Sequence, residues 1–296
     1  MIDKPTFKSS FKAFFYLLPM MVIIATFNLY PIGRSFLMSF YTDFNIFTQA
    51  VNSYGLDNFF TIFNDSNFWL AIRNTFIFVL GVVPMSIILS LTIAILLKQV
   101  RFLSGFFRSI YFLPFVTSTV AISIVWNWIY HSRFGLMNYA LSFLGIDPIA
   151  FITDPNFSML ALVILAIWKG LGFNIILFLV GLNSIDENYY SAAKIDGAKG
   201  WQRFTNITIP LLGPTMFLVS VMGVINSFKV FDEVFALFQS RPGPAGSALT
   251  VVYYIFQKFY QESQYGIAAA AGIVLFLIIL LFTLIQMAFN KKFVHY

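Results

Sequence analysis

The sequence predicts an all-α membrane protein: one polytopic domain of 296 residues, a bundle of about six transmembrane helices. Three observations predict it. First, 59% of the residues are hydrophobic and 10% charged, against roughly 25% charged in an ordinary soluble domain, so a soluble fold could not hide the apolar surface. Second, the apolar residues gather into six runs near the ~20-residue length that crosses a bilayer as a helix. Third, Lys and Arg are divided unequally between the two sets of loops that join those runs.

The first run, about 13–33, follows Lys4, Lys8 and Lys12. A basic start of this kind resembles a secretory signal. The apolar stretch, however, outlasts a signal core and has no small-residue cleavage site, so it reads as a retained first span. The other runs fall at about 74–97, 108–130, 158–182, 214–238 and 266–289. Trp126, Trp128 and Tyr130 close the third, where aromatic rings favour the membrane interface. Gly266, Ala268 to Ala271 and Gly272 open the last, and such small residues let helix backbones approach closely in lipid.

Lys4, Lys8, Lys12, Lys98, Arg101, Arg108, Lys194, Lys199, Arg203, Lys291 and Lys292 fall on one side of these spans. Arg34, Arg73, Arg133, Arg241 and Lys258 fall on the other, and Lys169 and Lys229 lie within spans. Eleven against five places both termini in the cytoplasm. The outer loops carry Asp43, Asp57, Asp65, Asp147, Asp154 and Glu262, and none is long enough to form a ligand-binding domain. Any capture of a solute outside would have to be done by another protein. The net charge of +6 is scattered between apolar runs rather than gathered in a patch, so nucleic acid is not the expected partner. There is no cysteine, and the histidines are His131 and His295. No metal-ligand cluster and no nucleophile–base pair is suggested, so no catalytic residue and no metal site is expected.

The loop 183–212 between the fourth and fifth runs is the informative one. Asp186 and Glu187 put acids at a helix start, followed by Tyr189, Tyr190, Ala192 and Ala193. Gly197 can supply the turn that ends this helix. Trp201, Phe204 and Ile207 recur at spacing three before Pro210 leads back to the membrane. An apolar helix pair on this side suits a groove on a partner protein; by pattern alone it equally suits the lipid surface.

The stretch Ser191 to Ala198 (Ser-Ala-Ala-Lys-Ile-Asp-Gly-Ala), followed by Trp201-Gln-Arg-Phe204 and Ile207-Thr-Ile-Pro-Leu-Leu212, resembles the EAA loop of ABC importer permeases. The form Ala-x-Ile-Asp-Gly-Ala with Trp-Gln-x-Phe is similar to the carbohydrate branch, the maltose- and glycerol-3-phosphate-type permeases. Further similarity runs through Leu18-Pro19, Gly55 to Phe59, Leu113-Pro114, Trp168-Lys169-Gly170, Gly172 to Asn174, Phe231-Asp232 and Tyr265 to Ala270. Three positions depart from the pattern. Ser191 replaces the first glutamate, Asp186 the usual proline, and Pro242-Gly-Pro244 the usual Gly-Gly-Pro. Ser191 removes any ion pair assigned to that glutamate.

The resemblance implies a type I importer-like fold and a non-catalytic permease subunit in a bacterial cell membrane, crossing it several times. It implies a second homologous permease, a dimer of ABC ATPase subunits that hold the ATP and Mg²⁺, and an extracytoplasmic solute-binding protein. It further implies a carbohydrate cargo, with no cofactor on this chain. Docking of the ATPase is expected at Asp186, Tyr190, Ser191, Ala192, Ala193, Asp196, Gly197, Ala198, Trp201, Phe204 and Pro210. By position in the maltose-type pattern, the solute path is expected at Gly170, Phe173, Gly223, Asn226, Ser227 and Val230.

Ionisable groups within spans are costly and point to function. Lys169 lies in the fourth run; Lys229, Asp232 and Glu233 lie toward the outer end of the fifth. With Lys229 three and four residues before the acids, the group can neutralise itself along one helical face. Lys169, Lys229 and Asp232 can also meet a solute, or the acids can lie in water at the outer interface. Asn226 and Ser227 can bond either a sugar or a neighbouring helix. An ion-coupled secondary transporter is the competing class, yet no repeat relates 1–150 to 151–296 and the acids cluster at span ends.

Overall fold

A computed structural model of the chain describes residues 7–45, 48, 50–99 and 104–293. Lys4, Arg101 and His295 lie outside them. The described residues divide into two compact units.

The smaller unit holds the chain up to Asp65 together with Ile255–Val274. Its helix α1 (Phe7–Ile24) passes through a π-helical turn at Ala25–Leu29 into α2 (Tyr30–Met38). The apolar length Phe14–Met38 fits one membrane crossing, and none of its strongest apolar window is buried. An antiparallel hairpin follows, β1 (Tyr41–Asn45) and β2 (Ala50–Tyr54), then α3 (Asp57–Asn64). The hairpin departs from the all-α expectation. Cross-strand pairs hold it: Thr42 Oγ1 to Ser53 Oγ at 2.7 Å, Asn52 donating to Asp43 at 3.0 Å, and the Tyr41 and Tyr54 rings edge to face. Asn58, buried on α3, donates to the Ser39 and Tyr41 carbonyls at 3.0 and 2.9 Å. Also in this unit, Lys258 pairs with Asp65 at 3.5 Å and with Glu262 at 2.8 Å.

The larger unit comprises Ser66–Tyr254 and the chain from Leu275. It opens with the 34-residue α4 (Ser66–Gln99), then α5 (Ser104–Val116), α6 (Thr119–Ile129), α7 (Leu136–Ser142) and the 30-residue α8 (Pro155–Ser184). Next come α9 (Glu187–Ile195), the single turn α10 (Gly200–Arg203), α11 (Ile209–Leu211), α12 (Gly213–Phe228) and α13 (Asp232–Leu237). Helices α14 (Val251–Phe256) and α15 (Tyr265–Phe293) complete the chain. Helix α8 packs along α4 and α5, and α12 lies against both α4 and α8. Small residues make this possible: a Cβ on Gly172 would stand against the Tyr111 carbonyl carbon at 2.6 Å, inside contact distance. Leu91, Ala94 and Leu97 of α4 bury against Ile175, Phe178, Leu179 and Leu182 of α8, with Leu212 and Val219 closing the cluster.

Six apolar runs survive as six candidate spans only when each of two sharply bent helix pairs is counted as one. The third, expected as one helix over 108–130, turns by 100° between α5 and α6. Ser118 is extended there, and the Thr117 hydroxyl donates to the Leu113 carbonyl at 2.7 Å. The fifth, expected over 214–238, counts as a span only with Gly200–Leu211 joined to Gly213–Phe228 across a 64° bend, and α12 itself stops at Phe228. Its 16 residues rise about 24 Å at 1.5 Å each, short of a ~30 Å hydrocarbon core. The interfacial reading of the third run's aromatic end also changes. Trp128 is exposed, but Trp126 and Tyr130 are buried within the unit, the Tyr130 hydroxyl donating to the Ala161 carbonyl at 2.8 Å.

Candidate functional site

Two helix interruptions, after Val116 and after Phe228, converge on one side chain. Lys169, midway along α8, donates from Nζ to Glu233 Oε1 at 2.8 Å and to the Thr119 hydroxyl. Thr119 begins α6 after the first break, and Glu233 lies in the first turn of α13 after the second. Acids suit that turn because the helix dipole is positive there. Backbone left unpaired by the second break is caught from elsewhere: the Thr250 hydroxyl donates to the Val230 carbonyl at 3.1 Å. Asn127 of α6 donates to the Leu237 carbonyl at the end of α13, 2.7 Å.

Beside this junction is a cavity of about 310 Å³. Helix α4 supplies Phe78, Val82 and Ser86 at spacing four, together with Val83 and Ile87; α8 supplies Lys169, Gly170, Phe173 and Asn174. Gly223, Asn226 and Ser227 of α12, then Val230 and Glu233, complete most of the wall. Phe115 from α5 stacks on Phe173, centroids 4.9 Å apart and planes within 17°. The lining is a ring face, small residues, amides, two hydroxyls and one ion pair, which can take up an uncharged, hydroxyl-rich ligand.

Seven of the nine path residues expected from sequence therefore line one cavity: Lys169, Gly170, Phe173, Gly223, Asn226, Ser227 and Val230. Lys229 and Asp232 do not. The expected neutralisation of Lys229 by the acids fails because the helix ends between them. Lys229 is the exposed C-cap of α12, Asp232 is exposed at the start of α13, and no ion pair joins them among the described residues. Glu233 turns instead to Lys169, 64 residues away in sequence. Phe115, Ser86 and Asn174 were not singled out as site residues. The spacing of Phe78, Val82 and Ser86 was the available signal for the α4 face. Phe115 offered none, being placed by the bend that follows it.

The second assembly is the hairpin 186–212. Asp186 caps α9, its carboxylate accepting from the Asn188 N–H at 2.9 Å. Gly197 ends the helix at φ +77°. Its N–H donates to the Lys194 carbonyl at 3.1 Å and the Ala198 N–H to the Ala193 carbonyl at 2.9 Å, the paired bonds of a Schellman turn. Tyr190 and Phe204 turn inward and pack on the α4–α8 core. The Tyr190 hydroxyl bonds Thr208 Oγ1 at 3.0 Å, and Lys98 lies over its ring while donating to the Leu182 carbonyl. Ser191, Ala192, Asp196, Gly197, Trp201 and Pro210 face outward, with Ala193 and Ala198 half-buried. Ile195 and Trp201 are 88% and 73% exposed, an apolar pair at the hairpin's tip.

Comparison with known proteins gives these two assemblies a family. The model for the inner membrane component of binding-protein-dependent transport systems matches residues 83–295, which contain the hairpin and all of the cavity lining except Phe78 and Val82. The chain is 34% identical to the lactose transport system permease protein of Rhizobium radiobacter, across 97% of this chain and 99% of that one. It is also 34% identical to an arabinooligosaccharides transport system permease of Bacillus subtilis, across 93% and 87%. Among solved structures it resembles a chain of a bacterial ABC transporter involved in import of the acidic polysaccharide alginate. That match has a TM-score of 0.81 at 27% identity, covering 96% of each chain. The same transporter with an alginate pentasaccharide-bound periplasmic protein matches at TM-score 0.83, 26% identity and 96% of each chain. This chain therefore belongs to the inner-membrane, multi-pass permease components of binding-protein-dependent transport systems.

Proposed function

We propose that the chain is one of two homologous permease subunits of an ATP-driven importer and that its cargo is an oligosaccharide. Both termini lie in the cytoplasm, following the distribution of Lys and Arg. A solute-binding protein delivers cargo from outside. The cargo passes along the cavity beside Lys169, where the stacked Phe115–Phe173 rings cover sugar C–H faces and Asn174, Asn226 and Ser227 bond hydroxyls. Relatives named for lactose and arabinooligosaccharides support the carbohydrate class. This subunit performs no covalent chemistry; ATP and Mg²⁺ belong to the ATPase subunits.

The carrying observation is the hairpin 186–212. Its outer side offers Ile195 and Trp201 to a partner, and its inner side enters the α4–α8 core through Tyr190 and Phe204. Helix α8 runs from that core directly to Lys169 and Gly170. An ATPase dimer that closes on the hairpin thus moves the helix that lines the cavity. ATP biases the inward–outward equilibrium only through contacts that differ between the two states, and the hairpin supplies them.

The test is ATP-dependent uptake of a labelled oligosaccharide panel by the purified complex in proteoliposomes. Gly197→Val puts a β-branched residue at positive φ, and uptake is expected to disappear while the protein still inserts. Normal uptake by that variant, or steady cargo entry through this chain reconstituted without its ATPase, overturns the proposal.

A further inference from the structure

Lys169 and Glu233 are the only charged residues among those lining the cavity. Each side chain is 18% exposed, and their contact is direct. The cavity is thus electrically neutral because its one cation is already matched. The pairing also leaves hydrogen-bonding capacity over. An ammonium has three donors; one goes to Glu233 Oε1 and one to Thr119, so one remains. Glu233 Oε2 has no hydrogen-bond partner among the described residues and can still accept. A free donor and a free acceptor therefore stand side by side on the wall. Neighbouring hydroxyls, each able to donate and accept, satisfy both at once. A carboxylate only accepts, and it would meet Glu233 at like charge, an arrangement that excludes ligands by repulsion.

Resting on the carbohydrate-permease reading above, we propose that the Lys169–Glu233 pair recognises adjacent hydroxyls of an uncharged sugar. In this assignment Glu233 is the specificity-determining residue that turns away sugars bearing carboxylates. Glu233→Gln keeps a side-chain oxygen for Lys169 but strips the counter-charge, leaving a net positive cavity. Lys169→Met with Glu233→Gln restores neutrality with neither charge present.

The experiment measures binding to the detergent-purified permease–ATPase complex without its binding protein, whose own selectivity would mask the cavity's. The probes are labelled neutral gluco-oligosaccharides and the same compounds oxidised at C6 to uronic acids. The wild-type complex is expected to prefer the neutral form at least tenfold. E233Q should reduce or invert that ratio by tenfold or more, and the double variant, with neither the repelling carboxylate nor an unmatched cation, should fall between E233Q and the wild type. Glu233→Asp, which keeps the charge, should weaken neutral binding without admitting uronates, and it serves if E233Q does not assemble. A wild-type complex that binds both forms equally, or a ratio unmoved in E233Q, overturns the inference while the carbohydrate reading stands. A complex that binds neither form but takes up a non-carbohydrate solute overturns the reading itself.

Discussion

The cavity and the 186–212 hairpin share helix α8 but are built on opposite terms. At the cavity, helices are broken, charge is turned inward, and the wall is open where Gly170 stands, with nothing within 4 Å of a Cβ added there. At the hairpin, helices are short and α9 is closed by Asp186 at its start and Gly197 at its end, the inward side is apolar, and it is the outward tip that exposes apolar surface. A region that handles a hydroxyl-rich solute needs polar groups held in place without being consumed by packing. A region that transmits force needs the reverse: rigid anchorage on one side and a desolvable patch on the other. Two glycines of one helix turn express the contrast. Gly170 faces open space, whereas Gly172 lets α8 touch the α5 backbone.

That contrast can be broken most forcefully at Gly172. Leucine there drives Cβ into the Tyr111 carbonyl group, and overpacking typically costs about 1–3 kcal/mol, here against backbone that must itself shift. Gly172→Leu should be recovered largely as aggregate, measured by size-exclusion chromatography in detergent. Gly170→Leu, one helical turn's fraction away, should elute and melt like the parent yet transport at least tenfold more slowly. If both variants lose folding together, the cavity is not open at Gly170.

Trp201→Ala sharpens the other half. An exposed aromatic that anchors a partner is worth about 2 kcal/mol or more at an interface, roughly thirtyfold in affinity. Its removal from a free surface changes stability by within about 0.5 kcal/mol. ATPase binding, followed by light scattering or surface plasmon resonance, should therefore fall while the thermal midpoint of the permease holds. An unchanged affinity would place the docking surface elsewhere. The smallest effect belongs to Tyr190→Phe, which deletes the hydroxyl contact with Thr208 and keeps the ring in the core. About 1 kcal/mol of stability should be lost, with coupling weakened severalfold, read as ATP hydrolysed per solute moved.

How far the sequence reaches differs between the same two regions. The hairpin was legible nearly throughout, because its determinants are local. Asp186 caps the helix that follows it, Gly197 ends it, and the Trp201 and Phe204 rings meet at a tilt within one turn. Only the division of Tyr190 and Phe204 to the inside and Trp201 to the outside required the core to be present. The cavity was legible as a set of positions and not as a geometry. Asp232 and Glu233 sit in an apolar context and read as charges within a span, whereas they are the acidic first turn of a new helix. The β-hairpin 41–54 was missed because its five-residue strands alternate too briefly to stand out among polar loop residues.

By itself, then, the sequence determined the membrane class, the six apolar runs and the capped hairpin. Hydropathy, capping and turn preference each depend on a residue and its near neighbours, so they can be summed along the chain. Only the tertiary structure decided where the third and fifth runs break and that Glu233, not Asp232, meets Lys169. Both outcomes depend on partners 20 to 110 residues away, such as Thr250 for Val230 and Asn127 for Leu237. A freed backbone carbonyl in lipid is tolerable only when such a partner arrives, and nothing in the local sequence announces its coming.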